Sequence, residues 1–275
     1  MKNKGLFFWG ILFASIILRC VQINTRGIQY DDAFSIFLAE QNLSAIVSGT
    51  AADTMPPLYY FLLHFWMLIG QQLWFIRILG VGFSVGCIVV LYLIVKNLVD
   101  QKSALWACVL IGISPVHIYH AQDIRMYSQL AFFQLVYYLF FIRIIGNPKN
   151  KPSVINWVGF ILSGALSMYT HNLAIFGLSV PAIYLLVTRK WKWLGKTLAA
   201  NLLTGLLALP WLLLVPGQIE KIQNAFWTPK PGIVEIVQAA IMLVGTLPLP
   251  WFWLVITAII SLQVIFLAIF LIWRR

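Results

Sequence analysis

Asp31 and Asp32 stand side by side in the segment Gln29-Tyr30-Asp31-Asp32-Ala33-Phe34-Ser35. Adjacent carboxylates repel, so a cation, a set of donors or a proton-acceptor role has to hold them together. The plainer reading is two solvated acids opening an amphipathic helix, where the helix dipole favours them. A second group follows at Asp53-Thr54-Met55-Pro56-Pro57-Leu58-Tyr59-Tyr60. Pro-Pro stops one helix and fixes the start of the next, and the tyrosines suit a membrane interface. The third group runs from Ser114-Pro115 through His117 and His120 to Gln122-Asp123-Ile124-Arg125-Met126-Tyr127. An arginine at a hydrocarbon boundary pairs or binds an anion, and its planar fork suits phosphate. The alternative there is an Asp123–Arg125 pair closing a helix end. His64, His117, His120 and His171 match no metal-ligand spacing, so no metal site is expected.

The elements that must position these groups are set by composition. Of 275 residues, 61% are hydrophobic and 10% charged, and the mean hydropathy is +0.88. A soluble domain of this length has too little core to hide that much apolar surface. Long unbroken apolar runs, rather than alternation, exclude a barrel and leave a helical bundle in lipid. The net charge of +11 would point to nucleic acid in a soluble protein, but here the bases sit in short connections between apolar runs. Cys20, Cys87 and Cys108 fall in or beside those runs and read as small buried hydrophobes, with no disulfide framework. The first run, Leu6 to Ile23, has no small-residue cleavage site after it and reads as a retained anchor.

The expected fold is therefore all-α, a polytopic transmembrane bundle of about eight spans. They are placed near 6–23, 75–96, 103–119, 127–146, 154–170, 172–188, 197–215 and 251–273. The segment 56–70 is short and aromatic and reads as an interfacial helix in a first outer loop covering 24–74; 232–250 takes the same reading. With the N-terminus inside, Lys2, Lys4, Lys96, Lys102, Arg143, Lys149, Lys151, Arg189, Lys190, Lys192, Lys196, Arg274 and Arg275 are cytoplasmic. Only Arg19, Arg26, Arg77, Arg125, Lys221 and Lys230 lie outside, a strong positive-inside bias. The acids divide the other way: all but Asp100 fall on the outer side. That face is where chemistry is expected. No repeat or linker divides the chain, which reads as one transmembrane domain over 1–275.

Taken in order, Asp31-Asp32-Ala33-Phe34-Ser35, Pro56-Pro57-Leu58-Tyr59-Tyr60, Arg77-Ile78-Leu79-Gly80, and Ser114-Pro115 through Gln122-Asp123-Ile124-Arg125-Met126-Tyr127 resemble the dolichyl-phosphate-mannose–protein mannosyltransferase family. These are membrane glycosyltransferases of GT-C fold, and they include the aminoarabinose transferases. The likeness covers roughly residues 20–130, with Tyr169-Thr170-His171 a later echo. Asp32 stands where relatives usually have Glu, Asp123 where Glu is common, and Met55 where His is common. Relatives usually continue with further spans and often an outer domain, so a C-terminal part of the family pattern is expected to be missing here.

The resemblance implies an inverting glycosyltransferase that takes sugar from a polyprenyl-phosphate carrier to a glycan, lipid or protein acceptor. The reaction would take place at the outer face of the plasma (inner) membrane. It implies Asp31 as base, Asp32 orienting it or touching the acceptor, and Arg125 and Arg77 on the phosphate. Asp123, Tyr59, Tyr60 and His171 would line the substrate site. No cofactor and no obligatory metal are expected, although some relatives with other lipid donors use a divalent ion; nucleic acid is not an expected partner. A non-catalytic assembly subunit and a transporter of lipid-linked sugar are the competing classes. Transporters favour mid-membrane ionisable groups and inverted repeats, which this chain lacks.

Overall fold

The structure is a computed structural model that describes residues 3–146 and 153–225, together with 232, 233 and 235. The expected span at 251–273 lies outside the described residues, as does nearly all of the interfacial segment 232–250. Every regular element among the described residues is a helix. Helix α1 (Asn3–Cys20) is followed by three short helices, α2 (Tyr30–Ala39), α3 (Leu43–Asp53) and α4 (Leu58–Met67). Then come α5 (Leu73–Leu98), α6 (Gln101–Gly112), α7 (Pro115–Ala121), α8 (Tyr127–Ile145), α9 (Val154–Thr170), α10 (Ala174–Val187), α11 (Trp191–Leu207), α12 (Leu209–Leu212) and α13 (Val215–Ala225).

Among the described residues two helices, α5 and α8, are long and apolar enough to cross a membrane alone, or up to four spans if each bent pair counts as one. Shorter apolar helices form α1, α4, α9 and α10. Helix α8 packs between α5 and α9, with Tyr137 stacked on Phe160 at 4.1 Å and its hydroxyl donating to Asn201 Oδ1 at 2.7 Å. Outside this core, large apolar side chains such as Leu6, Phe13, Phe176, Val187 and Leu202 stay exposed. Water would not tolerate a surface of that kind, and lipid does.

Two of the expected spans are broken. The run 103–119 divides into α6 and α7 with a bend of 62°, and the run 197–215 divides after Leu207 with a bend of 67°. Proline is the cause at both. Pro115 and Pro210 have no N–H to offer the carbonyl four residues earlier, and each instead opens a new helix. At the first break Ser114 caps α7 by accepting from His117 N. The freed carbonyls of Ile111 and Gly112 accept from the guanidinium of Arg19 at 3.1 and 3.0 Å. The sequence pattern shows apolar periodicity on both sides of such a break and so overstates its continuity.

The segment 24–74 forms α2, α3 and α4. Asn42 caps α3 by accepting from Ala45 N. Thr54 then takes a left-handed conformation with φ of 72°, turning the chain into Pro56-Pro57 and α4. Ten residues of α4 rise about 15 Å, half of what a bilayer core requires. The chain alternates direction from α5 onward, so the two ends of the bundle differ. One end gathers Lys96 and Arg143 in one pocket and Arg189, Lys190 and Lys192 in another. The opposite end carries α2, α3, α4 and the turn between α7 and α8.

Candidate active site

The turn 122–126 is fixed from three sides. Gly80 of α5 lets it approach: a Cβ there would meet the Ala121 carbonyl oxygen at 2.7 Å. This is a close approach that only glycine permits. Gln122 Nε2 donates to the carbonyls of Arg19 and Val21. Asp32 Oδ1 accepts from Ile124 N at 2.9 Å, and its Oδ2 accepts from Gln29 N at 3.3 Å. Asp32 is fully buried, so it acts as a brace between α2 and this turn.

Asp123 and Arg125 do not pair with each other, contrary to the helix-end alternative. Two residues apart in a tight turn, they face opposite sides. Asp123 forms an ion pair with Arg26 and lies 2.7 Å from His120 Nδ1. Arg26 also donates to the Tyr119 carbonyl at 2.7 Å and lies over the Tyr119 ring. Asp123 therefore closes the loop after α1 onto α7. Arg77, expected at the phosphate, is fully buried with its fork on the carbonyls of Ile23, Arg26 and Gly27. That geometry makes it a clamp on the same loop. Tyr59 is equally buried, edge-on to Tyr60 in the core under α2 and α4.

Arg125 turns the other way, toward α2 and α4. Its Nη1 donates to Tyr60 Oη at 3.2 Å, and its Nε lies 3.8 Å from Asp31 Oδ2. The second distance suits an ion pair and is too long for a hydrogen bond. Arg125 Nε is buried with no hydrogen-bond partner. Burial alone would lower the pKa of this guanidinium; Tyr60, Asp31 and Tyr127 outweigh that and hold it above the ordinary value. Asp31, by contrast, keeps 55% of its side chain exposed. The cluster thus joins an accessible carboxylate to a buried cation with a donor to spare.

Asp53 and His171 complete the cluster. The Asp53 carboxyl is pushed above its usual range, first by desolvation and then by Asp31, with Arg125 and Lys221 opposing. His171 is held below the ordinary imidazole value by burial and by Arg125. Its Nδ1 accepts from Leu173 N at 3.0 Å, leaving Nε2 as the protonated nitrogen. The backbone after Asp53 is tied down from across the molecule. Asn172 donates to the Thr54 carbonyl, Gln218 to that of Ala51 and Lys221 to that of Ala52. Among the expected residues, Asp31, Arg125, Tyr60 and His171 come together, while Asp32, Asp123, Arg77 and Tyr59 form the frame. Asp53 was visible beside Pro56-Pro57, but its approach to Arg125 depends on α3. Among the described residues, no group of three or more His, Cys, Asp or Glu is placed to hold a metal ion.

A model of the dolichyl-phosphate-mannose-protein mannosyltransferase family matches residues 54–215, a stretch that includes Tyr60, Arg125 and His171. Among solved structures, the crystal structure of ArnT from Cupriavidus metallidurans in the apo state is similar, with a TM-score of 0.63 at 16% identity. The match covers 88% of this chain and 48% of that one, so the chain spans about half the length of its structural relative. At that identity the likeness is one of fold. No curated protein matches the chain in sequence.

Proposed function

The chain belongs to the dolichyl-phosphate-mannose-protein mannosyltransferase family, and on that premise we propose that it moves a sugar from a polyprenyl-phosphate donor to an acceptor hydroxyl. The observation that carries this reading is the pairing of exposed Asp31 with buried Arg125, whose Nε–H has no partner. An unfilled, permanently charged donor beside an accessible carboxylate suits a reaction that needs one proton acceptor and one anion holder.

In the proposed step Asp31 takes the proton of the acceptor hydroxyl. The acceptor oxygen forms its bond to the anomeric carbon as the bond from that carbon to the phosphate oxygen breaks. The electron pair leaves with the phosphate, against Arg125, and the anomeric centre inverts. Tyr60 holds the guanidinium fork from beneath, and neutral His171 offers Nε2–H to a sugar or phosphate oxygen. The site lies at the end of the bundle opposite the Lys96, Arg143 and Arg189 pockets, which by the positive-inside rule is the non-cytoplasmic end. Lipid-linked sugar is the form of activated donor that can reach it there.

The test is transfer from a set of polyprenyl-phosphate sugars by purified protein in lipid. Asp31→Asn keeps the shape and removes the proton acceptor, so turnover should fall about 10²–10⁴-fold with donor binding retained. Near wild-type turnover in that variant would remove Asp31 from the role. A wild-type protein that transfers from no donor would favour the assembly-subunit alternative.

A further inference from the structure

Arg19 and Arg77 are the largest fully buried side chains among the described residues, and the charge of Arg19 has no counter-ion. Its Nε donates to Ser84 Oγ at 2.7 Å, and its Nη1 to the carbonyls of Ser15 and Gly112. Nη2 donates to the Ile111 carbonyl and lies 2.9 Å from His117 Nδ1. Every partner is neutral, and no carboxylate pairs with Arg19 among the described residues. An isolated buried cation is costly and is retained where it has work to do.

The hydrogen-bond logic around it is determinate. Arginine is always a donor, so His117 Nδ1 must accept. With Nδ1 accepting from Arg19 Nη2, neutral His117 is the Nε2–H tautomer; Ser84 Oγ, which accepts from Arg19 Nε, lies 2.9 Å from the same nitrogen. His117 lines an open groove of about 230 Å³ between α7 and α8, with Val116, His120, Tyr127 and Ala131. No protein group among the described residues takes up its Nε2–H. Nearby, Asp123 is matched by Arg26, so the uncompensated charge behind the groove is that of Arg19. An oxygen-rich anion with an apolar body fits this combination. The groove also adjoins the candidate active site across one side chain. The Tyr127 ring lies 5.0 Å from that of His120 on one side and 6.4 Å from that of His171 on the other.

We infer that this groove is a second phosphate site, in which His117 Nε2–H donates to the phosphate of a polyprenyl monophosphate. The first isoprenoid carbons would lie along Val116 and Ala131. The inference rests on the proposed donor class. It gives the spent carrier a place one side chain from where it is released. Arg19 acts there through His117 and is a positioning residue.

Farnesyl monophosphate, a short carrier analogue, tests this by equilibrium binding to the full chain in nanodiscs, with farnesol and inorganic phosphate as separate arms. Wild-type protein should bind it at two sites. His117→Phe should weaken one of them about tenfold or more, while His117→Gln, which keeps a donor at that end, should restore it. Arg125→Ala should weaken the other site. Unchanged binding in His117→Phe, or farnesol binding as tightly as the phosphate, overturns the inference. If His117→Phe does not fold, imidazole nitrogen NMR of the wild type decides: an Nδ1–H tautomer, or no His117 response to farnesyl phosphate, overturns it equally. Should Arg125→Ala keep both sites while His117→Phe loses one, the groove stands and the Arg125 assignment falls.

Discussion

At the scale of single residues, Asp31 and Asp32 differ in everything except side-chain chemistry. Asp31 is exposed beside Arg125, whereas Asp32 is buried between two backbone amides. Asp32→Asn places an amide N–H or a weaker acceptor against those amides and should cost about 1–3 kcal/mol of stability. Asp31→Asn should leave stability nearly unchanged, and thermal unfolding of the two variants in one detergent checks the contrast. Asp53 yields a pH prediction. Its folded-state pKa is raised from 3.8, so folding favours the protonated form. The associated stability is fully present below pH 3.8 and is lost as pH rises through the raised value. Asp53→Asn should therefore melt higher than wild type at neutral pH, and the gap should close on acidification toward pH 3.8. A gap that widens on acidification would contradict the desolvation account. Because Asp53 remains partly exposed, solvent keeps the effect modest.

At the scale of elements, the site depends on how closely the turn 122–126 can lie against α5. Gly80 sets that approach, and what it faces is backbone: the Ala121 carbonyl cannot swing aside as a flexible side chain would. Gly80→Ala should displace the turn and destabilise the protein by about 1–3 kcal/mol. Because Arg125 and the Asp32 bond to Ile124 both ride on that turn, transfer activity should fall by more than the loss of folded protein explains. Measuring turnover per folded molecule separates the two effects. If activity tracks the folded fraction alone, the turn tolerates the shift and Gly80 serves packing only. On the other side, Asn172, Gln218 and Lys221 hold the carbonyls at the end of α3. The far half of the bundle thereby helps to place Asp53.

At the scale of the whole molecule, the separation of charge between the two ends predicts orientation. Eight of the expected cytoplasmic bases, Lys4, Lys96, Lys102, Arg143, Arg189, Lys190, Lys192 and Lys196, lie within the described helices and their connections. Asp100 on that side caps α6 by accepting from Ser103 N. Ser48 and Lys192 are both exposed and suit single-cysteine labelling with an impermeant reagent in a background free of the native cysteines. Ser48→Cys should react in intact cells and Lys192→Cys only after permeabilisation. The reverse pattern would invert the molecule and place the Asp31 cluster in the cytoplasm, where lipid-linked donors lose their rationale.

Composition put the chain in lipid, because no other solvent accommodates so much apolar surface, and its long unbroken apolar runs made it helical. Short motifs in order were enough to indicate the family, and the resemblance they carry is what singled out Asp31 and Arg125 as candidates. Sequence did not separate Asp31 from Asp32, nor Asp123 from Arg125. Neighbours in a chain share composition and spacing, and only the local path of the backbone decides which side chain faces a cavity and which a carbonyl. The same limit hid the breaks at Pro115 and Pro210, where apolar periodicity continues past a missing N–H. Arg77 illustrates the other limit. The family resemblance put it on the phosphate, whereas its fork is taken by three carbonyls fifty or more residues away in the chain. Contacts of that range exist only once α1, α5 and the loop between α1 and α2 have packed together.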